Sequence, residues 1–128
     1  MSGTNTSRIL ATTYRPGNLN VRENGLLLSE GLRSRIIAIT GQPVKYASGQ
    51  SSARFHVEPD AGATFTSGRG GTGWIYVSNS EFRSGNSGGV GALSFNPNGD
   101  VIDYKMVLTN SRANCGGGKT PWGVSTLY

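Results

Sequence analysis

Short apolar segments separated by Gly, Pro, Asn and Ser predict strands rather than helices. The longest stretch with helical spacing, residues 24–35, is interrupted by Gly25 and Gly31, so it can form at most one or two helical turns. Five segments show the strand pattern: residues 35–40, 63–66, 74–78, 90–95 and 101–108. We therefore predict an all-β fold built as an antiparallel meander, the arrangement found in sandwiches and propeller blades.

The last of these segments has the clearest alternation. Asp103 and Lys105 fall on one face of the predicted strand, and the other face receives Ile102, Tyr104, Met106 and Leu108. The preceding Asn-Pro-Asn-Gly-Asp, residues 96–100, is typical of a tight turn. This pattern predicts a hairpin, whereas the glycine- and serine-rich stretches 47–53 and 67–73 are interpreted as surface loops.

Length and composition narrow the class of protein. A chain of 128 residues forms at most one domain and cannot complete a propeller or a TIM barrel. Its 20 glycines show no G-X-Y period, which excludes collagen, and its Trp, Tyr, Ile and Val content argues against disorder. No apolar run approaches the roughly 18 residues of a membrane-spanning helix, so we expect no membrane association.

The net charge of +5 lies entirely in residues 1–54, where the basic residues are scattered rather than clustered. A nucleic-acid-binding surface normally needs a basic stripe with interleaved aromatic residues, so we expect no nucleic-acid partner. Residues 1–19 contain no apolar h-region, and the sequence as written predicts no secretory signal. This leaves the localisation open.

Two glycine motifs resemble nucleotide-binding loops. Residues 68–73 match G-x-G-x-x-G, but a strand is predicted next, where a dinucleotide site requires a helix. Residues 116–120 resemble the end of a Walker A loop, but Ala113 replaces its leading glycine and only eight residues follow. Turns explain both motifs better than cofactor binding does.

Three other residues carry side chains suited to acid–base or metal chemistry. His56 is close in sequence to two carboxylates, which suits either acid–base or metal chemistry or a polar loop closed by Pro59; we favour the loop. Asn79 and Glu81, two residues apart at a strand end, point the same way and carry the hard oxygen atoms that calcium prefers. Taken alone, these two residues are more typical of a turn with a surface carboxylate than of a metal site.

The chain has one cysteine and one histidine, which excludes a zinc finger formed by this sequence alone. Cys115 lies in a glycine-rich segment whose basic neighbours would favour the thiolate, although a buried, inert thiol is the commoner role.

Residues 114–123, NCGGGKTPWG, resemble the N-C-x-G-G-x-T-P-W-G signature of PhoX-type alkaline phosphatases and their relatives. Residues 73–81 and 88–93 are similar to upstream strands of that family, and His56 with residues 59–63 resembles one of its loops. The resemblance extends over residues 25–123.

This resemblance implies a six-bladed β-propeller that hydrolyses phosphomonoesters with iron and calcium. Within it, Cys115 corresponds to an iron ligand, and Asn79 and Glu81 are expected metal or phosphate contacts. The implied layout is a weakly structured segment over residues 1–24 and a partial propeller domain of one to two blades over residues 25–128. Family members are usually exported.

The chain departs from the family pattern after Gly123, because it reads VSTLY and lacks the acidic C-E-E segment expected there. We therefore expect the polypeptide to be an N-terminal fragment of such a phosphatase, inactive by itself. The alternative is a non-catalytic β-sheet module, derived from that family, that binds or supports another protein. An unclosed set of blades would expose sheet edges through which chains associate.

Overall fold

The structure is a computed structural model that describes residues 19–67, 72–122 and the backbone of 125–127. These residues form ten strands in antiparallel pairs and contain no helix, which confirms the all-β antiparallel prediction. No helix in this part of the chain could cross a membrane. The strands are β1 Val21–Glu23, β2 Leu26–Leu28, β3 Pro43–Tyr46, β4 Gly49–Arg54, β5 Pro59–Thr66, β6 Trp74–Ser80, β7 Gly88–Phe95, β8 Val101–Ser111, β9 Gly117–Lys119 and β10 Ser125–Leu127.

The chain divides into two compact units between Ile36 and Ile37. In the first unit, β1 and β2 form a hairpin whose turn residues Asn24 and Gly25 have φ of 50° and 79°. Positive φ at both positions is the type I′ pattern that suits the twist of a two-residue hairpin. The predicted segment over residues 1–24 stays a prediction, because residues 1–18 lie outside the described part.

The second unit is built on a four-stranded sheet in the order β5-β6-β7-β8, which is a simple meander. Its core lies between this sheet and the β3–β4 hairpin, where β7 and β8 contribute four of the six residues of the buried cluster: Val44, Phe55, Leu93, Phe95, Val101 and Tyr104. Trp74 stacks on Phe95 with ring centroids 3.8 Å apart. The predicted turn forms as well, since the Asn96 side-chain oxygen accepts from the Asn98 and Asp100 N–H groups at 3.0 and 2.9 Å.

Two sequence-based predictions of elements are wrong. Residues 35–40 form no strand: Ile36 and Ile39 are exposed, while Ile37 and Ala38 pack against the core. The stretch 47–53, predicted as a loop, contributes most of β4. Ser51 explains this, because its buried hydroxyl accepts from the Val44 N–H at 2.8 Å and donates to the Ala53 carbonyl at 2.6 Å.

The predicted alternation along β8 is wrong at both ends. Tyr104 and Met106 face the core, but Ile102 is 54% exposed and Leu108 is 39% exposed. The cause is the irregular pairing with β7, which has three register shifts, two of them on either side of the regular stretch that carries Tyr104. Each shift places an extra residue on β8, and one extra residue moves the following side chains to the opposite face.

The two glycine motifs do not open helices. Residues 68–73 lie between β5 and β6, with the Ser67 N–H donating to the Gly73 carbonyl at 3.1 Å; residues 68–71 lie outside the described part. Residues 117–119 form β9, which pairs with β10. Neither motif therefore has the strand-to-helix setting that phosphate binding requires.

Candidate metal centre

Three chain segments meet at one end of the four-stranded sheet. Pro59 at the start of β5 pairs with Ser80 at the end of β6, and Gly88 at the start of β7 pairs with Ser111 at the end of β8. The residues that begin β5, follow β6 and follow β8 are therefore neighbours, although they are far apart in sequence. This is where the candidate ligands lie.

Asp60, Glu81 and Cys115 form a cluster at this end of the sheet. One carboxylate oxygen from each acid and the Cys115 Sγ all lie within 4.8 Å of one another. Asp60 and Cys115 are exposed, and the Glu81 side chain is 24% exposed. The structure thus brings together two of the three residues that the sequence analysis selected as metal ligands, Glu81 and Cys115, and adds Asp60.

Strand alternation on β6 places Glu81 toward this cluster. The Glu81 N–H donates to the Glu58 carbonyl at 3.0 Å, so strand pairing continues one residue beyond Ser80. Asn79 and Glu81 then share a face, while Ser78 and Ser80 lie on the other. The bulge in β5 between Pro59 and Gly62 lies opposite this end of β6 and contains Asp60.

Asn79 has a different contact from its predicted partner Glu81. It is only 2% exposed, and its side-chain Nδ2 donates to the Gly116 carbonyl at 2.7 Å. This hydrogen bond fixes the backbone next to Cys115, so Asn79 positions the cysteine segment. A second buried amide does the same from the other side, because Asn114 Nδ2 donates to the Gly89 carbonyl at 3.1 Å and to Ser111 Oγ at 2.6 Å.

Two non-glycine residues beside the cluster have left-handed backbone conformations. Glu58, which precedes Pro59, has a φ of 46°, and Ala113, two residues before Cys115, has a φ of 55°. Such residues are uncommon and are held there only by surrounding contacts. For Ala113 one such contact is its N–H, which donates to the Phe82 carbonyl at 3.4 Å.

A cation also lies at the cluster. The Arg83 Nε donates to Glu81 Oε1 at 3.1 Å, and a second guanidinium nitrogen contacts the same oxygen. This hydrogen bond and the negative charge of Glu81 raise the pKa of Arg83, with smaller contributions from Cys115 and Glu58. The Arg83 side chain is nevertheless 71% exposed.

His56 is directed to the opposite face of the sheet, into the core. It is 7% exposed, and its ring nitrogens lie 3.2 Å from the Tyr104 hydroxyl and 3.0 Å from Ser78 Oγ. The loop before Pro59 forms as expected, because residues 55–58 lie between β4 and β5, but the His56 side chain is buried within it. No carboxylate contacts the ring among the hydrogen bonds of the described residues. Burial lowers the pKa of His56, against a smaller opposing effect of a hydrogen bond with the Asn79 backbone.

The donors in the cluster suit a transition metal. Thiolates select softer cations, and carboxylates are ligands for harder ones, so a mixed set with one thiolate and two carboxylates is compatible with iron and equally with zinc. Calcium requires six to eight oxygen ligands, and the cluster supplies carboxylates from Asp60 and Glu81 only. These residues therefore fit the iron implied by the resemblance and supply only part of a calcium site.

Sequence reasoning missed Asp60 as a ligand, although it noted that this carboxylate is near His56. Its only local signal is its position at the start of a strand, and the pairing of β5 with β6 is what brings it to Glu81. Comparison with known proteins adds no further assignment: no family model matches the chain, and no curated protein or solved structure matches it either.

Proposed function

We propose that this chain is part of a PhoX-like phosphomonoesterase and that Asp60, Glu81 and Cys115 are its contribution to an iron site. The observation that carries the proposal is the convergence of the three donor atoms within 4.8 Å. The residue that the family signature assigns to iron, Cys115, lies beside a residue from an independent motif, Glu81. Two motifs 34 positions apart in sequence therefore meet at one place.

The proposed fold is one blade of a six-bladed β-propeller, formed by β5 to β8. A four-stranded antiparallel meander in sequential order is the unit from which propellers are built. None of the sheets in the described residues closes on itself, and β5 and β8 form the two edges of this one. Both features are consistent with a piece of a larger ring.

The chemistry follows from the donor set. Iron held by these residues would polarise phosphoryl oxygens and offset negative charge that develops during phosphoryl transfer. Asp60, Glu81 and the Cys115 thiolate would hold the cation, and Asn79 would keep the cysteine segment in place through Gly116. Calcium is part of the proposal only for a complete protein, in which further oxygen ligands are supplied.

Iron binding by the purified chain tests the proposal. After loading with ferric iron and removal of excess metal, the wild-type chain should retain iron and show the visible absorption of an iron–thiolate bond. Cys115→Ser should abolish this absorption, and Asp60→Asn should weaken retention by about tenfold or more. Asp103→Asn is the matched control, since Asp103 lies opposite Ser94 on the neighbouring strand, outside the cluster.

Two results would contradict the proposal. Equal retention of iron by the wild-type and Cys115→Ser chains would remove the thiol from the site. No retention by the wild-type chain, in a protein that is folded, would favour the non-catalytic β-sheet module. Phosphatase activity is not the readout, because we expect the chain by itself to be inactive.

A further inference from the structure

Arg83 contacts the neighbouring Glu81 carboxylate through a single oxygen. The planar guanidinium matches the two oxygens of a carboxylate or phosphate with two parallel hydrogen bonds. Here Nε and a terminal nitrogen both contact one oxygen, Glu81 Oε1. The fork of donors is therefore not matched to Glu81, and a ligand with two suitably spaced oxygens would match it better.

The Arg83 side chain is also accessible. It is 71% exposed, and exposed ion pairs contribute little to stability, so Glu81 can release the guanidinium without disrupting the fold. Its backbone, by contrast, is held in place: the Arg112 Nε donates to the Arg83 carbonyl at 3.2 Å, and the neighbouring Phe82 carbonyl accepts from the Ala113 N–H. A fixed backbone that carries an accessible cation is suited to anion binding.

The balance of charge at the cluster also favours an anion bound to Arg83. With ferric iron bound, the two carboxylates and the metal-bound Cys115 sulfur would together supply three negative charges, which the iron would neutralise. Arg83 would then be left with a positive charge that Glu81 no longer offsets. A phosphoryl group bound beside the iron would supply both the negative charge and the paired oxygens.

We propose that Arg83 binds the phosphoryl oxygens of a phosphomonoester dianion next to the Asp60, Glu81 and Cys115 cluster. This inference rests on the proposed function and names a substrate-binding residue for it. Arg112 has a positioning role, through the Arg83 carbonyl. Sequence reasoning did not single out Arg83, because its relation to Cys115 depends on how the segments after β6 and β8 meet.

The experiment measures binding of inorganic phosphate to the full chain by equilibrium dialysis, with and without ferric iron loaded beforehand. Iron content is determined on the same samples, so that the two properties are separated. Arg83→Gln should weaken phosphate binding to the iron-loaded chain by about tenfold or more while iron content is unchanged. Arg83→Lys should recover part of the affinity, because it keeps the charge but loses the fork.

Arg22→Gln is the matched control, since it removes one exposed arginine from β1, in the other unit. It should leave phosphate binding unchanged. The proposal is overturned if Arg83→Gln and wild type bind phosphate equally with iron retained, or if the iron-loaded wild type binds none. Failure of the wild type to retain iron would instead overturn the proposed function and this inference together, and the iron measurement identifies that case.

Discussion

The two polar clusters of the sheet share strand β6 but have opposite environments. Ser78 on one face contacts the buried His56, whereas Glu81 on the other face lies in the exposed group with Asp60 and Cys115. In the buried cluster every polar atom has a partner, since no buried side-chain nitrogen or oxygen in the described residues lacks a hydrogen bond. In the exposed cluster, groups that can carry like charge lie side by side.

This difference shows which cluster is structural and which is a candidate for chemistry. A buried, satisfied network specifies the packing of the core and is costly to disturb. Like charges held together in an accessible place contribute little to stability, and they favour a bound cation. Substitutions in the first cluster should therefore change the free energy of unfolding, and those in the second should change ligand binding.

The largest effect on stability is expected from Gly91→Ala. Gly91 lies opposite Ser78 on β7, and a Cβ at this position would overlap the His56 ring and approach Tyr104. Overpacking of this kind typically costs about 1–3 kcal/mol, and the overlap with the ring places Gly91→Ala at the upper end. Urea denaturation should show this loss for Gly91→Ala.

Gly118→Ala is the control for that substitution. No atom lies within 4 Å of a Cβ built at Gly118, so the free energy of unfolding should be nearly unchanged. Equal stability of Gly91→Ala and wild type would mean that the His56 ring is not held against β7 as described.

Tyr104→Phe should cost about 1–2 kcal/mol. The lost hydroxyl accepts from the backbone N–H of His56 at 3.1 Å and donates to the Met106 sulfur at 3.2 Å. Its removal leaves the buried backbone N–H of His56 without this partner. Tyr76→Phe, on the same face of the sheet but outside this cluster, should cost less. A thermal denaturation series of both variants checks the order, and the reverse order would contradict the assigned role of the hydroxyl.

How far the sequence predicts the two clusters depends on the range of the interactions that form them. Local patterns were sufficient for the central parts of β5 to β8 and for the turn at residues 96–100. They were insufficient for the core-facing position of His56, which depends on contacts with Ser78 and Tyr104. They were also insufficient for the bulge that carries Asp60, because it depends on pairing between β5 and β6. The exposure of Ile102 and Leu108 has the same origin, since a bulge is a property of two strands.

The third prediction concerns how the stability of the fold depends on pH. Because burial lowers the pKa of His56 in the folded chain, the unfolded chain takes up a proton first as the pH falls. The contribution of neutral His56 to the free energy of unfolding is fully present above about pH 6.5 and is lost as the pH falls toward the folded pKa. The slope of this loss is at most about 1.4 kcal/mol per pH unit. Urea midpoints between pH 7 and 5 should therefore decrease.

An NMR titration isolates this contribution, since His56 is the only histidine of the chain. Its ring resonances in the folded protein should titrate below the ordinary value. A midpoint at or above about 6.5 would show that the ring is solvated and that the buried cluster is not as tightly closed as its distances indicate.

The smallest effect is expected at the exposed cluster. Without metal, Asp60→Asn should change the free energy of unfolding by no more than about 0.5 kcal/mol, because Asp60 is exposed and lies next to another acid. With iron at a hundred times its dissociation constant, the wild type should gain about 2.7 kcal/mol, and the variant should gain less. Denaturation with and without iron measures both numbers. A large loss in the metal-free variant would make Asp60 a structural residue and would erase the contrast between the two faces of β6.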